Sequence, residues 1–158
     1  MSDDRVRNLL DLELEGADQD FPEHHRFSGE RVTELVGSVA TGMSVYELDP
    51  GIAGWPYHFE LNEEEWLIVI AGEVVLRTPE GEQRLRAGDV ACFPAGAAGA
   101  HAVRNESEET ARFAMPSTNA RFGGATVYLD SGKVSVYGPG YRHRGWLGER
   151  VPYWEGEP

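Results

Sequence analysis

Turn-forming residues punctuate the middle of this chain so closely that, from Gly72 to Gly96, no stretch between them is long enough for an ordinary helix. Gly72, Pro79-Glu80-Gly81, Gly88-Asp89 and Pro94-Ala95-Gly96 break the segment from residue 58 to residue 105 into short pieces. Those pieces include Trp66-Leu-Ile-Val-Ile70, Glu73-Val-Val-Leu-Arg77, Gln83-Arg-Leu-Arg86 and Val90-Ala-Cys-Phe93. Glycine supplies the positive φ that tight turns need and proline stiffens a strand end, so the punctuation separates strands joined by hairpins. Apolar runs this short, bounded by turn signals, read as strands. The expected class is all-β, and 158 residues form one domain with a core that needs no staples.

The same reading extends to either side. Val32 to Val36 and Met43 to Leu48 are expected strands, followed by the turn Asp49-Pro50-Gly51. Ala111 to Met115 is a further strand, which Pro116 is expected to end. Thr126 to Leu129 and Val134 to Tyr137 form a last hairpin about Asp130-Ser131-Gly132. This divides the chain into an acidic N-terminal extension (1–30), a barrel (31–137) and a C-terminal arm (138–158). Within the extension, Leu9, Leu10, Leu12 and Leu14 alternate well enough to add an edge strand. His24 and His25 are adjacent, so they leave opposite sides of a strand and are expected at the surface without sharing an ion. The arm is rich in glycine, proline and aromatics, with Tyr141, Trp146, Tyr153 and Trp154, and suggests a segment packed across its own barrel or a partner.

The chemistry concentrates on four residues. His58 and Glu60 stand two apart, and in a strand such residues leave the same face about 6.6 Å apart along the chain, so both can reach one ion. Glu65 opens the next strand and can enter from the neighbouring position; Glu64 is the alternative if the register shifts by one residue. His101 follows the loop from Pro94 to Gly99, and only a fold that wraps the chain back on itself brings it near His58. With two imidazoles and two carboxylates, the set His58, Glu60, Glu65 and His101 suits a hard or borderline divalent ion such as Mn²⁺, Fe²⁺ or Zn²⁺. The other reading of Glu60 is an acid or base in a metal-free pocket, since burial raises a carboxyl pKa into the useful range.

These residues also fall on a known pattern. The chain resembles the cupin family, whose double-stranded β-helix, or jelly-roll, barrels carry two signatures. The first is G, five residues, H-x-H, three or four residues, E, six residues, G; His58, Glu60, Glu65 and Gly72 occupy its later positions, with Gly51 and Gly54 flanking the place of the leading glycine. The second is G, five residues, P-x-G, two residues, H, three residues, N; Gly88, Pro94, Gly96, His101 and Asn105 match it, the gap before His101 being longer by two. Glu60 stands where most metal-binding cupins have their second histidine. The chain is similar in particular to small bacterial cupins described as sugar epimerases, including its closing Asp130-Ser-Gly-Lys133 and Tyr153-Trp-Glu-Gly-Glu157 segments. The resemblance implies a homodimer, and sheet edges that a partner covers fit that expectation.

Composition narrows the partners. A formal net charge of -13 argues against nucleic acid and anionic membrane surfaces, both of which recruit basic faces. Small molecules are the expected ligands. Lys133 is the single lysine among 14 basic residues, and arginines turned inward would suit carboxylate or phosphate recognition. The single Cys92 excludes an internal disulfide and, in an apolar strand, is expected to be a buried reduced thiol, in keeping with the cytoplasm. The start Met-Ser-Asp-Asp-Arg lacks a signal-peptide pattern, and the run from Trp66 to Ala71 is too short to span a bilayer. Two functional expectations follow: a metal-dependent enzyme of isomerase, epimerase or dioxygenase type with Glu60 or Glu65 assisting proton transfer, or a non-catalytic small-molecule sensor that dispenses with metal.

Overall fold

The computed structural model describes residues 5–17, 20–118 and 123–157; residues 1–4, with the Met-Ser-Asp-Asp start, and residues 18–19, 119–122 and 158 lie outside it. In chain order the elements are β1 (Glu15–Gly16), β2 (Ser28–Glu30), α1 (Val32–Val36), β3 (Thr41–Leu48), β4 (His58–Glu60), β5 (Glu65–Ala71) and β6 (Glu73–Thr78). They continue with β7 (Gly81–Arg86), β8 (Val90–Phe93), β9 (Ala102–Arg104), β10 (Ala111–Thr118), β11 (Gly124–Tyr128), β12 (Lys133–Gly138) and β13 (Tyr141–Trp146). The strands build a double-stranded β-helix from a six-stranded sheet in the order β1-β2-β3-β10-β5-β8 facing two smaller ones, β13-β12-β11-β4 and β7-β6-β9.

The apolar run in β5 is continuous because the middle of the large sheet is covered on both faces. Leu67 and Val69 point into the barrel with Leu48, Phe113 and Met115, while Ile68 and Ile70 point outward against Val32, Val45, Ala114 and the leucines of the N-terminal segment. That outer cover explains two departures from the sequence reading. Val32 to Val36 forms a short helix, not a strand: a helical turn brings Val32 and Val36 together on the outer cluster, and Gly37 closes it at φ 69°. The Leu9 to Leu14 segment is not a strand either. The Arg112 guanidinium donates to the carbonyls of Leu9, Leu10 and Leu12 at 2.7–3.1 Å, satisfying groups that a ladder would otherwise pair.

Two further expectations are corrected. β10 runs through Pro116 to Thr118: Pro116 keeps its place opposite Met43 on β3, and pairing with β5 skips from Ala114↔Ile68 to Ser117↔Glu65, so the missing proline N–H is tolerated. Cys92 is exposed, not buried. It lies on β8, at an edge of the large sheet, where Ala91 and Phe93 take the inner face and Val90 and Cys92 the uncovered outer one. His24 is exposed as expected, but His25 is half-buried in a 3-10 turn, its Nδ1 2.6 Å from the Gly54 carbonyl.

The last hairpin stands close to its expected bounds, and β13 adds a strand to it, so that Lys133–Gly138 pairs on both sides. The rings of Tyr141, Trp146, Tyr153 and Trp154 are exposed. Among the described residues no helix is long and apolar enough to cross a membrane.

Candidate metal centre

β4 and the residue before β9 are joined by an isolated antiparallel bridge, in which His58 N–H donates to the His101 carbonyl at 3.1 Å and His101 N–H to the His58 carbonyl at 2.8 Å. Directly opposed residues share a face, so the two imidazoles project into the barrel side by side, 4.7 Å between centroids. Glu65 enters from the start of β5 on the facing sheet. Ligand atoms of His58, Glu65 and His101 all lie within 4.8 Å of one another. The wrapping of the chain thus closes the sequence gap between the two histidines.

Both rings are fixed in one tautomer. His58 Nδ1 lies 2.7 Å from the Pro56 carbonyl and His101 Nδ1 2.9 Å from the Gly99 carbonyl. A carbonyl only accepts, so each Nδ1 carries the proton and each Nε2 turns a lone pair toward the cavity. The loop that supplies the second carbonyl depends on Gly99, where a Cβ would sit 1.9 Å from the Pro94 oxygen. Phe93 stacks on the His101 ring at 3.8 Å and 10° between planes. His101 is 1% exposed, and its Nε2 is a buried atom without a hydrogen-bond partner, with Glu65 Oε2 3.6 Å away. An orphaned lone pair so deep is costly unless something electrophilic meets it. Two imidazole nitrogens and a carboxylate converging on one point fit a divalent ion of the Mn²⁺, Fe²⁺ or Zn²⁺ class.

The electrostatics lead to the same fit. Burial pushes the Glu65 carboxyl up to about 7, with Glu60 and Glu63 adding to the rise. Burial also pulls His101 down to about 4, the neighbouring His58 contributing, and lowers His58 itself. Every group of the trio is driven toward its neutral form, and a bound cation is the charge that would reverse this for Glu65.

Glu60 shares the cavity but not the cluster. Both its carboxylate oxygens accept from the Thr126 hydroxyl, at 2.8 and 3.0 Å, across the β4–β11 pairing. Its pKa is raised by burial, lowered in part by that hydroxyl and raised again by Glu63. Glu64, the register alternative to Glu65, accepts instead from the Trp66 indole at 3.1 Å. The cavity, about 400 Å³, is also lined by Arg31, Glu63, Thr126, Tyr128, Tyr137 and Arg142. None of these six was singled out from the sequence. Tyr137 donates to Glu63 from 74 residues away, and burial followed by that carboxylate raises its pKa. The period-two pattern of β12 places Tyr137 on one face with Ser135; only the β4–β11–β12–β13 register shows that this face is the one carrying His58 and Glu60.

Comparison with known proteins agrees with this architecture. Residues 44–116 match the family model described as "Cupin domain". A structure from Acidithiobacillus ferrooxidans, described provisionally as a sugar phosphate isomerase, superposes with a TM-score of 0.83 at 20% identity, covering 94% of this chain and 97% of its own. A cupin-superfamily sugar phosphate isomerase from Silicibacter pomeroyi gives 0.77 at 22% identity, over 92% and 96%. A Thermus thermophilus protein, TT1209, gives 0.58 at 27%, over 72% and 96%. No curated protein matches the sequence.

Proposed function

We propose, from the match of residues 44–116 to the cupin-domain model and from the site those residues build, that this chain is a divalent-metal-dependent isomerase acting on a small carbonyl compound of the sugar type. The fold alone hosts many chemistries, so the reading rests on the site. Its carrying observation is the pair of histidines whose Nδ1 protons are spent on backbone carbonyls, leaving two Nε2 lone pairs beside Glu65. His58, Glu65 and His101 are the proposed ligands. An ion held there would supply Lewis acidity toward a substrate carbonyl oxygen.

Glu60 is the proposed proton-transfer residue. Isomerisation of a hydroxycarbonyl compound moves a proton between adjacent carbons, which calls for one carboxylate held at a fixed angle and buried enough to accept and return it. Thr126 sets that angle through its bond to both oxygens. Tyr137, donating to Glu63, supplies a second hydroxyl at the wall and keeps the Glu63 carboxylate off the substrate. The sugar phosphate isomerase descriptions of the two relatives support the substrate class. A homodimer acting in the cytoplasm on a small molecule completes the proposal.

The test is proton exchange. Metal-loaded protein is incubated in D₂O with a panel of aldoses, ketoses and their phosphates, and deuterium entering the carbon next to the carbonyl is followed by NMR. Exchange that falls at least about 100-fold in Glu60→Gln, with metal content retained, supports the assignment. Exchange unchanged in Glu60→Gln refutes it, as does a metal-loaded protein inert toward the whole panel.

A further inference from the structure

The face of the β4-β11-β12-β13 sheet that carries the site has a charge order. Directly opposed residues of antiparallel strands share a face, so Glu60, Thr126, Ser135 and Arg144 form one row across the four strands. His58, Tyr128, Lys133 and Trp146 form a second, and Gly124, Tyr137 and Arg142 a third. Moving outward from β4 to β13, the first two rows start at Glu60 and His58, and all three pass through hydroxyl-bearing residues to a cation, Arg144, Lys133 or Arg142. Lys133 lies 5.6 Å over the Tyr128 ring, so this basic stretch begins at the cavity wall.

Of the cations on β13, Arg142 lines the cavity, as does Arg31 from the segment before α1. These two guanidinium groups share that lining with the carboxylates of Glu60, Glu63 and Glu65. Arg77, Arg84, Arg104 and Arg112 each hold a carboxylate; among the described residues no carboxylate lies within ion-pair distance of Arg142. Glu63, in the loop between β4 and β5, is already engaged by the hydroxyl of Tyr137, the cross-strand neighbour of Arg142. Arg31 pairs with Glu34 at 3.4 Å, both side chains largely exposed, an interaction weak enough to be exchanged for a ligand.

Resting on the isomerase reading, we infer that Arg142 and Arg31 form an anion-binding rim that takes a phosphate or carboxylate group of the substrate and directs its uncharged end toward His58, Glu65 and His101. The acidic inner wall repels an anion and the guanidinium rim attracts it, so a substrate with one charged end enters in a single orientation. Guanidinium presents paired donors that match the oxygens of either anion.

The test is calorimetric titration of inorganic phosphate, and separately of acetate, into the protein as purified and into Arg142→Met, the Arg31→Met/Arg142→Met pair, and Arg144→Met, with metal content measured on each sample. Loss of a charge-assisted contact predicts affinity about 10-fold weaker or more in Arg142→Met, weaker again in the pair. Arg144→Met, on the same strand but outside the cavity lining, is expected to be unchanged. Phosphate binding with this dependence assigns phosphate as the group; acetate binding with the same dependence assigns a carboxylate; both support the rim. Equal affinity in wild type and the double variant, which binding directly to a metal would give, overturns it, as does failure of both anions to bind. The metal readout separates the two proposals: arginine-dependent anion binding in protein that holds no metal keeps the rim and removes the metal-site reading.

Discussion

Glu65→Gln should make the metal-free protein more stable, by an amount that grows with pH. The wild-type carboxyl is held at about 7 in the folded chain, mainly by burial, against its ordinary value of 4.5. A raised carboxyl pKa means the folded state binds the proton more tightly than the unfolded one. The associated stability is therefore fully present below pH 4.5 and is lost as pH rises toward 7. With the side chain 21% exposed, the loss at pH 8 is about 3 kcal/mol, and at pH 5 about 1 kcal/mol. Glutamine keeps the shape, stays neutral and adds an N–H that can donate to the orphaned His101 Nε2, so it escapes the loss. For a chain of this size that corresponds to a melting point about 6–10 °C higher than wild type at pH 8, shrinking to about 2–4 °C at pH 5. The assay is a thermal melt of chelator-treated wild type and variant at the two pH values. Repeating it with added Mn²⁺ or Zn²⁺ should reverse the order, because only the carboxylate gains from the ion. A variant no more stable than wild type at pH 8 without metal, or a difference independent of pH, would mean that burial does not hold the Glu65 carboxyl neutral.

Other perturbations follow from the same contacts. Asn105 is 1% exposed and donates to the Leu48 and Glu109 carbonyls at 2.7 and 2.8 Å while accepting from Ser107. Asn105→Ala strands buried carbonyls and should lower stability by about 3 kcal/mol in a urea titration; a loss under about 1 kcal/mol would mean water replaces the amide. At Gly124 a Cβ would lie 2.8 Å from the Tyr137 hydroxyl and 2.6 Å from Asn62 Oδ1, both ends of movable side chains. Gly124→Ala should therefore shift the melting point by no more than about 2 °C while changing the tyrosine ultraviolet spectrum as Tyr137 leaves Glu63, and an unchanged spectrum counts against that contact. Cys92 should react with iodoacetamide in the native protein; modification only after unfolding would contradict its exposed position.

The signature residues were legible because each answers a local demand that sequence displays. Gly72 lies at φ 72° with the Thr110 carbonyl 2.8 Å from where a Cβ would be, and Asn105 closes the loop after β9 through its own amide. The histidines were legible by spacing, although their convergence needed the bridge between β4 and β9. What sequence periodicity misread was the outer face of the large sheet. Val32 to Val36 has strand composition, but its role as a cover for Ile68 and Ile70 selected a helical turn. The Leu9 to Leu14 alternation looked like a strand because nothing local reveals that Arg112, about a hundred residues away, takes its carbonyls. Tyr137 and Arg142 stayed hidden for the same reason: their place at the cavity is a property of cross-strand register, which one strand does not encode.

In the proposed site His58, Glu65 and His101 hold an ion and Glu60 stands beside them for proton transfer. Elemental analysis of untagged protein purified without chelator, with His101→Ala and Glu60→Gln prepared in parallel, tests it most directly. About one divalent ion per chain is expected in wild type and in Glu60→Gln, and close to none in His101→Ala. Metal retained by His101→Ala, or lost from Glu60→Gln as completely as from His101→Ala, would contradict it.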